Sequence, residues 1–141
     1  MDVPTSHAPA LYLYCIAIAA LLIYVPPFAV AAWGRLQVGY DLEAPRTMTS
    51  KVPPYAQRAT WAHENSFEAF TIFAAAALMA YVTRVESPVG TAAAVAFPVV
   101  RFLFSIFYIV NLPLARGSMY LVGTACSATL MILSILRAAQ S

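Results

Sequence analysis

The sequence predicts an all-α integral membrane protein built as a bundle of four transmembrane helices. Three observations predict it. Of 141 residues, 62% are hydrophobic and 10% charged, where soluble domains run at roughly 45–50% and 25%. The apolar residues gather in four stretches, each long enough as a helix for a hydrocarbon core of about 30 Å. One long and two short connections join them, so the chain reads as one four-helix domain over residues 1–141 with both termini on the same side.

The first span is expected at about residues 10–33. Between Asp2 and Arg35 there is no Asp, Glu, Lys or Arg. A cleaved signal peptide is set aside, because the basic leading segment is missing, Asp2 stands near the amino terminus, and the apolar run is too long. Pro26 and Pro27 remove two backbone donors and predict a kink, tolerated in a membrane if neighbours satisfy the freed carbonyls. From Gly34 to Pro54, glycines, prolines, hydroxyls and the charges Arg35, Asp41, Glu43, Arg46 and Lys51 read as a loop outside the bilayer. The second span, about 54–83, opens on Pro54 and ends after the small-residue run Ala74 to Ala77. Thr83 to Pro88 is a short turn. The third, about 88–110, holds Pro98 and one charge, Arg101. Asn111 to Gly117 reads as the next turn, and the fourth span, about 117–138, closes with Arg137.

Arg35, Arg46, Lys51 and Arg116 lie in the first and third connections, against Arg84 and Arg137 on the other side. That bias puts the first and third connections in the cytoplasm. A net charge of +2 without a basic tract excludes nucleic acid as a partner. Cys15 and Cys126 lie far apart in apolar stretches and read as core or lipid-facing residues, with no metal or redox spacing. No Ser-His-Asp order and no phosphate-binding glycine loop is present.

Polar residues at membrane depth need a partner or a function. At about 100° per residue, Arg58, Trp61, Asn65, Glu68 and Ile72 form one stripe, and Glu64 lies about 40° from Glu68. The stripe must face the bundle axis, another subunit or a wet cavity. On the third span Arg101, Phe104, Tyr108 and Asn111 share a face, with Arg116 just beyond Pro113. The acidic and basic stripes can pair, and Glu68 is expected within reach of Arg101 or of a neighbouring subunit's Arg58. Buried pairing without any ligand is the alternative for Glu68 and Asn65, and anchoring at the bilayer edge for Arg35 and Arg116. His63 points off the stripe and reads as a hydrogen-bonded packing residue. Tyr12, Tyr14, Tyr24, Tyr81 and Tyr120 read as packing or interface aromatics.

Arg58 followed by Ala-x-x-Ala-His-x-Asn65-Ser-Phe-Glu68-Ala-Phe, then Arg101, Tyr108, Pro113 and Arg116, resembles the MAPEG family. These are the membrane-associated proteins in eicosanoid and glutathione metabolism, and the likeness is to the small bacterial members. It covers nearly the whole chain. The resemblance implies a homotrimer in a bacterial inner membrane, with glutathione as cosubstrate between adjacent subunits on the cytoplasmic side. It assigns glutathione binding to Arg58, Asn65, Glu68, Arg101 and Tyr108, and thiolate stabilisation to Arg116. Arg58 and Arg101 would take the two carboxylates, Glu68 the ammonium and Asn65 a peptide group. The implied activity is a transferase or peroxidase acting on lipophilic small molecules that enter from the membrane lipids. The sequence departs from the family pattern at Trp61, where eicosanoid enzymes carry another Arg, at Phe104 for a Tyr, and by about one residue at Arg116. Loss of one carboxylate clamp opens the site to a less anionic ligand. The other expectation is a non-catalytic membrane protein whose polar stripe holds the trimer, or binds a lipid or partner complex.

Overall fold

A computed structural model describes residues 8–140; Asp2, used above in reading the amino terminus, lies outside them. The described residues are all helical or loop, with no strand. They form α1 (Ala8–Ile23), α2 (Ala29–Gln37), α3 (Pro54–Val82), α4 (Pro88–Ile109) and α5 (Pro113–Ala138). Among the described residues four spans are long and apolar enough to cross a membrane, the first of them running from Ala10 to Gln37 through both α1 and α2.

The prolines of the first span act as their chemistry requires. Val25 leaves the helical region (φ −122°, ψ 118°), and a single wide turn, Tyr24–Phe28, joins α1 to α2. The span then continues to Gln37, beyond the expected end near residue 33, because Gly34 is not a loop signal here. A Cβ at Gly34 would overlap the Cβ of Ala56 on α3, so the glycine permits close helix contact. The helix ends instead before Gly39, whose φ of +85° suits glycine. Between α2 and α3, Asp41 Oδ1 accepts from the Glu43 and Ala44 amides, and buried Met48 and Val52 anchor the loop.

The short connections are helix-end motifs. After α3, the Val85 amide donates to Ala80 O and the Arg84 amide to Tyr81 O, with Arg84 at φ +52°. After α4, Leu112 donates to Phe107 O and Asn111 to Tyr108 O, with Asn111 at φ +62°. Both satisfy the last carbonyls of their helix through a left-handed residue. Pro113 takes the first position of α5, so the fourth span begins at residue 113 rather than about 117, and Arg116 belongs to its first turn.

Both α1 and α5 pack on α3 and α4. The core is made of Tyr12, Phe73, Phe97 and Leu130 among small residues including Ala76, Ala77, Ala80 and Ala94. Phe73 and Phe97 stack in parallel at 3.8 Å. The small-residue run of α3 is thus largely used inside the subunit, with Ala76 and Ala77 buried and Ala75 exposed. Hydroxyls in the spans mostly donate to the carbonyl one turn earlier, as Thr71 does to Phe67 O and Thr124 to Tyr120 O. Tyr12 is fully buried, and its hydroxyl donates to Val85 O at 2.9 Å, closing one end of the bundle.

Candidate functional site

The α3 stripe does not face the axis of its own bundle. Trp61 is 45% exposed, Ile72 and Glu68 are exposed, and Asn65 and Arg58 are half-buried at the edge that meets α4. In a single chain the stripe is therefore an outer surface.

Arg101 is only 5% exposed. Its Nη2 donates to Asn65 Oδ1 at 2.9 Å and to Ser66 Oγ at 3.3 Å, and Ser66 in turn donates to Ala62 O at 2.7 Å. The guanidinium lies 4.0 Å from the centre of the Phe104 ring. Its stem runs past Gly123 of α5, where an added Cβ would meet Arg101 Cδ at 3.7 Å. Within the chain Arg101 pairs with Asn65 and Ser66 and not with Glu68, which leaves an Arg58 of a neighbouring subunit as the other expected partner of Glu68. Glu68 makes no ion pair among the described residues and lies on the exposed side of the stripe. The physical reason is rotation: Asn65 and Ser66 sit where α3 turns toward α4, whereas Glu68 has turned past that edge.

From Arg101 an aromatic ladder leads to the end of the bundle. Phe104 and Tyr108 meet edge to face at 5.5 Å, and the Arg116 guanidinium lies 4.2 Å from the centre of the Tyr108 ring. The register of α5 explains the contact, since a helix starting at Pro113 projects Arg116 back over α4. Arg58 reaches the same end, its Nε donating to Ile109 O at 2.8 Å. It thereby satisfies a terminal carbonyl of α4 and places a cation at that helix's negative pole. Four of the residues predicted as a site, Arg58, Arg101, Tyr108 and Arg116, thus follow one side of α4, with Asn65 joined to them and Glu68 apart.

A family profile describing the MAPEG family matches residues 11–136. The chain belongs to the MAPEG family. No curated protein and no solved structure compared with it matches.

Two cavities adjoin this MAPEG framework. A small one of about 30 Å³ lies between α3, α4 and α5 against Arg101, Tyr120, Thr124 and Ser127. A larger one of about 490 Å³ lies under the long loop, lined by Arg35, Arg46, Thr60, His63, Glu64 and Phe67 among others. Arg35 Nε is buried there without a hydrogen-bond partner among the described residues. Sequence reading missed Ser66, because a serine beside Asn65 lies off the polar stripe. The available signal was Gly123, a small residue on α5 that leaves room for an arginine stem.

Proposed function

We propose that the protein is a membrane-embedded, glutathione-dependent transferase or peroxidase acting on lipophilic electrophiles, with glutathione bound between subunits of a homotrimer. The observation that carries this reading is the ladder Arg101, Phe104, Tyr108, Arg116, which runs from within the span to its end beside the exposed α3 stripe. The donor set fits a tripeptide with two carboxylates, one ammonium and a thiol. Arg58 keeps its terminal nitrogens beyond the Nε bond to Ile109 O, and Glu68 is a carboxylate without an ion pair among the described residues, suited to the ammonium. Asn65 commits its oxygen to Arg101, so its amide nitrogen is left to donate to a peptide carbonyl. Arg116 lowers the pKa of a nearby thiol from about 8.5 by charge proximity. The thiol proton leaves to water, and the thiolate sulfur forms a bond to the electrophilic carbon of a substrate arriving through the lipid, as that carbon's bond to its leaving group breaks and the group departs with the electron pair. On a lipid hydroperoxide the thiolate instead takes the outer oxygen, the O–O bond breaks to give the alcohol, and a second glutathione displaces water from the sulfenic acid to give the disulfide. We place the first and third connections in the cytoplasm of a bacterial inner membrane, the side where glutathione is available.

A second reading has its own support. Arg101 and Arg58 are both engaged within the chain, the first by Asn65 and Ser66 and the second by a helix terminus, as in a non-catalytic scaffold whose polar residues hold the helices. Isothermal titration of the detergent-solubilised protein with millimolar glutathione, followed by thiol consumption with a generic electrophile, separates the two. Heat of binding and turnover are expected. Neither heat nor thermal stabilisation would leave the scaffold reading.

A further inference from the structure

The break in the first span removes two α-helical hydrogen bonds at named carbonyls. In a continuous helix the carbonyl of residue i accepts from the amide of residue i+4. Pro26 and Pro27 have no amide proton, so neither can donate to Leu22 O or Ile23 O as a continuous α-helix would require, and the wider turn Tyr24–Phe28 replaces that pattern. The Nδ1 of His63, on α3, lies 2.7 Å from Ile23 O. A carbonyl only accepts, so the proton of that bond sits on Nδ1. The imidazole is held on its other sides by aromatic rings, with centroids at 5.8 Å for Tyr24, 5.3 Å for Phe28 and 5.1 Å for Phe67. Two of these rings belong to the break itself.

The same stretch of α3 holds the rest of the broken span. Gly34 packs on Ala56, and Tyr55 donates its hydroxyl to Gln37 Oε1 at 2.6 Å. Along α3 the order is His63, Ala56, Tyr55, and along the first span it is Ile23, Gly34, Gln37, so α2 is fastened at both ends to one antiparallel neighbour. Arg35 stands one residue past the Gly34 contact, in the wall of the cavity that His63 also lines.

We infer that His63 is a positioning residue. Locked as the Nδ1–H tautomer by the Ile23 carbonyl, it fixes the break in the first span and so sets where α2 holds Arg35 over the cavity beneath the long loop. This assignment is independent of what the site binds. A phenylalanine would fill the same aromatic nest without supplying the donor, so packing alone does not account for a histidine there.

The test uses the full chain in lipid bilayers, labelled with ¹⁵N in histidine only. The sequence has two histidines, His7 and His63, and His7→Gln assigns the signals. At about pH 8, above the ordinary histidine range, His63 should show a protonated Nδ1 and a bare Nε2. A protonated Nε2, or a rapidly averaged mixture as in water, overturns the proposal, and this measurement needs no substitution at His63. Hydrogen exchange over residues 29–37 gives the consequence. An asparagine amide nitrogen falls near the place of Nδ1, whereas that of glutamine falls near Nε2. His63→Asn should therefore keep wild-type protection, while His63→Gln and His63→Phe exchange about tenfold faster, the scale of one lost hydrogen bond. Equal protection in all three variants, or rescue by glutamine in place of asparagine, overturns it.

Discussion

At the scale of single residues, the buried guanidinium of Arg101 governs the interior of the polar region. Asn65 and Ser66 are its acceptors, and the oxygen of Asn65 is the nearer. Asn65→Ala should cost about 2–3 kcal/mol in thermal or denaturant unfolding, the scale of a charge-assisted bond lost where water cannot replace it. Asn65→Leu combined with Arg101→Leu should cost less than Asn65→Ala alone, because it removes the stranded charge along with its acceptor. A double variant less stable than the single would show that packing, not charge, sets this region. For the proposed chemistry, Arg116→Ala should lower turnover about 10-fold to 1000-fold with little change in glutathione affinity, since it removes one charge-stabilising donor. Unchanged turnover would return Arg116 to an anchoring role. The sequence made the presence of Arg101 conspicuous but not its partner. Helical spacing ranks Asn65 and Glu68 together on one stripe, and only the rotation of α3 against α4 separates an edge position from an outward one.

At the scale of elements, hydropathy makes the spans legible, and Pro26-Pro27 makes the break legible, because both depend on local composition. The ends are less so. Gly34 reads as loop in a sequence that is also rich in charge there, yet its role is set by Ala56, 22 positions later in the chain. Pro113 reads equally as a helix stop or a helix start, and the left-handed Asn111 before it decides for a start. The Gly34 contact is open to test. Gly34→Ala should destabilise by about 1–3 kcal/mol, as overpacking at a tight contact does, and Ala56→Gly in the same chain should restore part of that loss. If Gly34→Ala melts at the wild-type temperature, the close approach of α2 and α3 is not fixed.

At the scale of the whole molecule, the α3 stripe turned outward is the feature from which the proposed homotrimer is tested. Trp61, Glu68 and Ile72 would otherwise face lipid together, and a carboxylate in hydrocarbon is costly. We expect a protein mass of three 15.2 kDa chains in mild detergent, after subtraction of bound detergent. A monomer of unchanged stability would remove the intersubunit site. The sidedness of the bundle is tested with a single cysteine on a background lacking Cys15 and Cys126. Leu42→Cys and Leu114→Cys, 84% and 89% exposed, should react with an impermeant reagent from one side, and Glu86→Cys from the other.

Arg101 also bears on how such a chain enters the bilayer at all. An arginine near the middle of a lone span costs about 2.5–3.5 kcal/mol to insert. Its acceptors, Asn65 and Ser66, lie on the preceding span, and only the tight turn at Thr83–Ser87 separates α3 from α4. During synthesis the acceptors emerge before the cation that needs them. The second and third spans are therefore expected to enter the bilayer as one hairpin, and a chain cut between them would release a third span that carries its charge into the lipid unaccompanied.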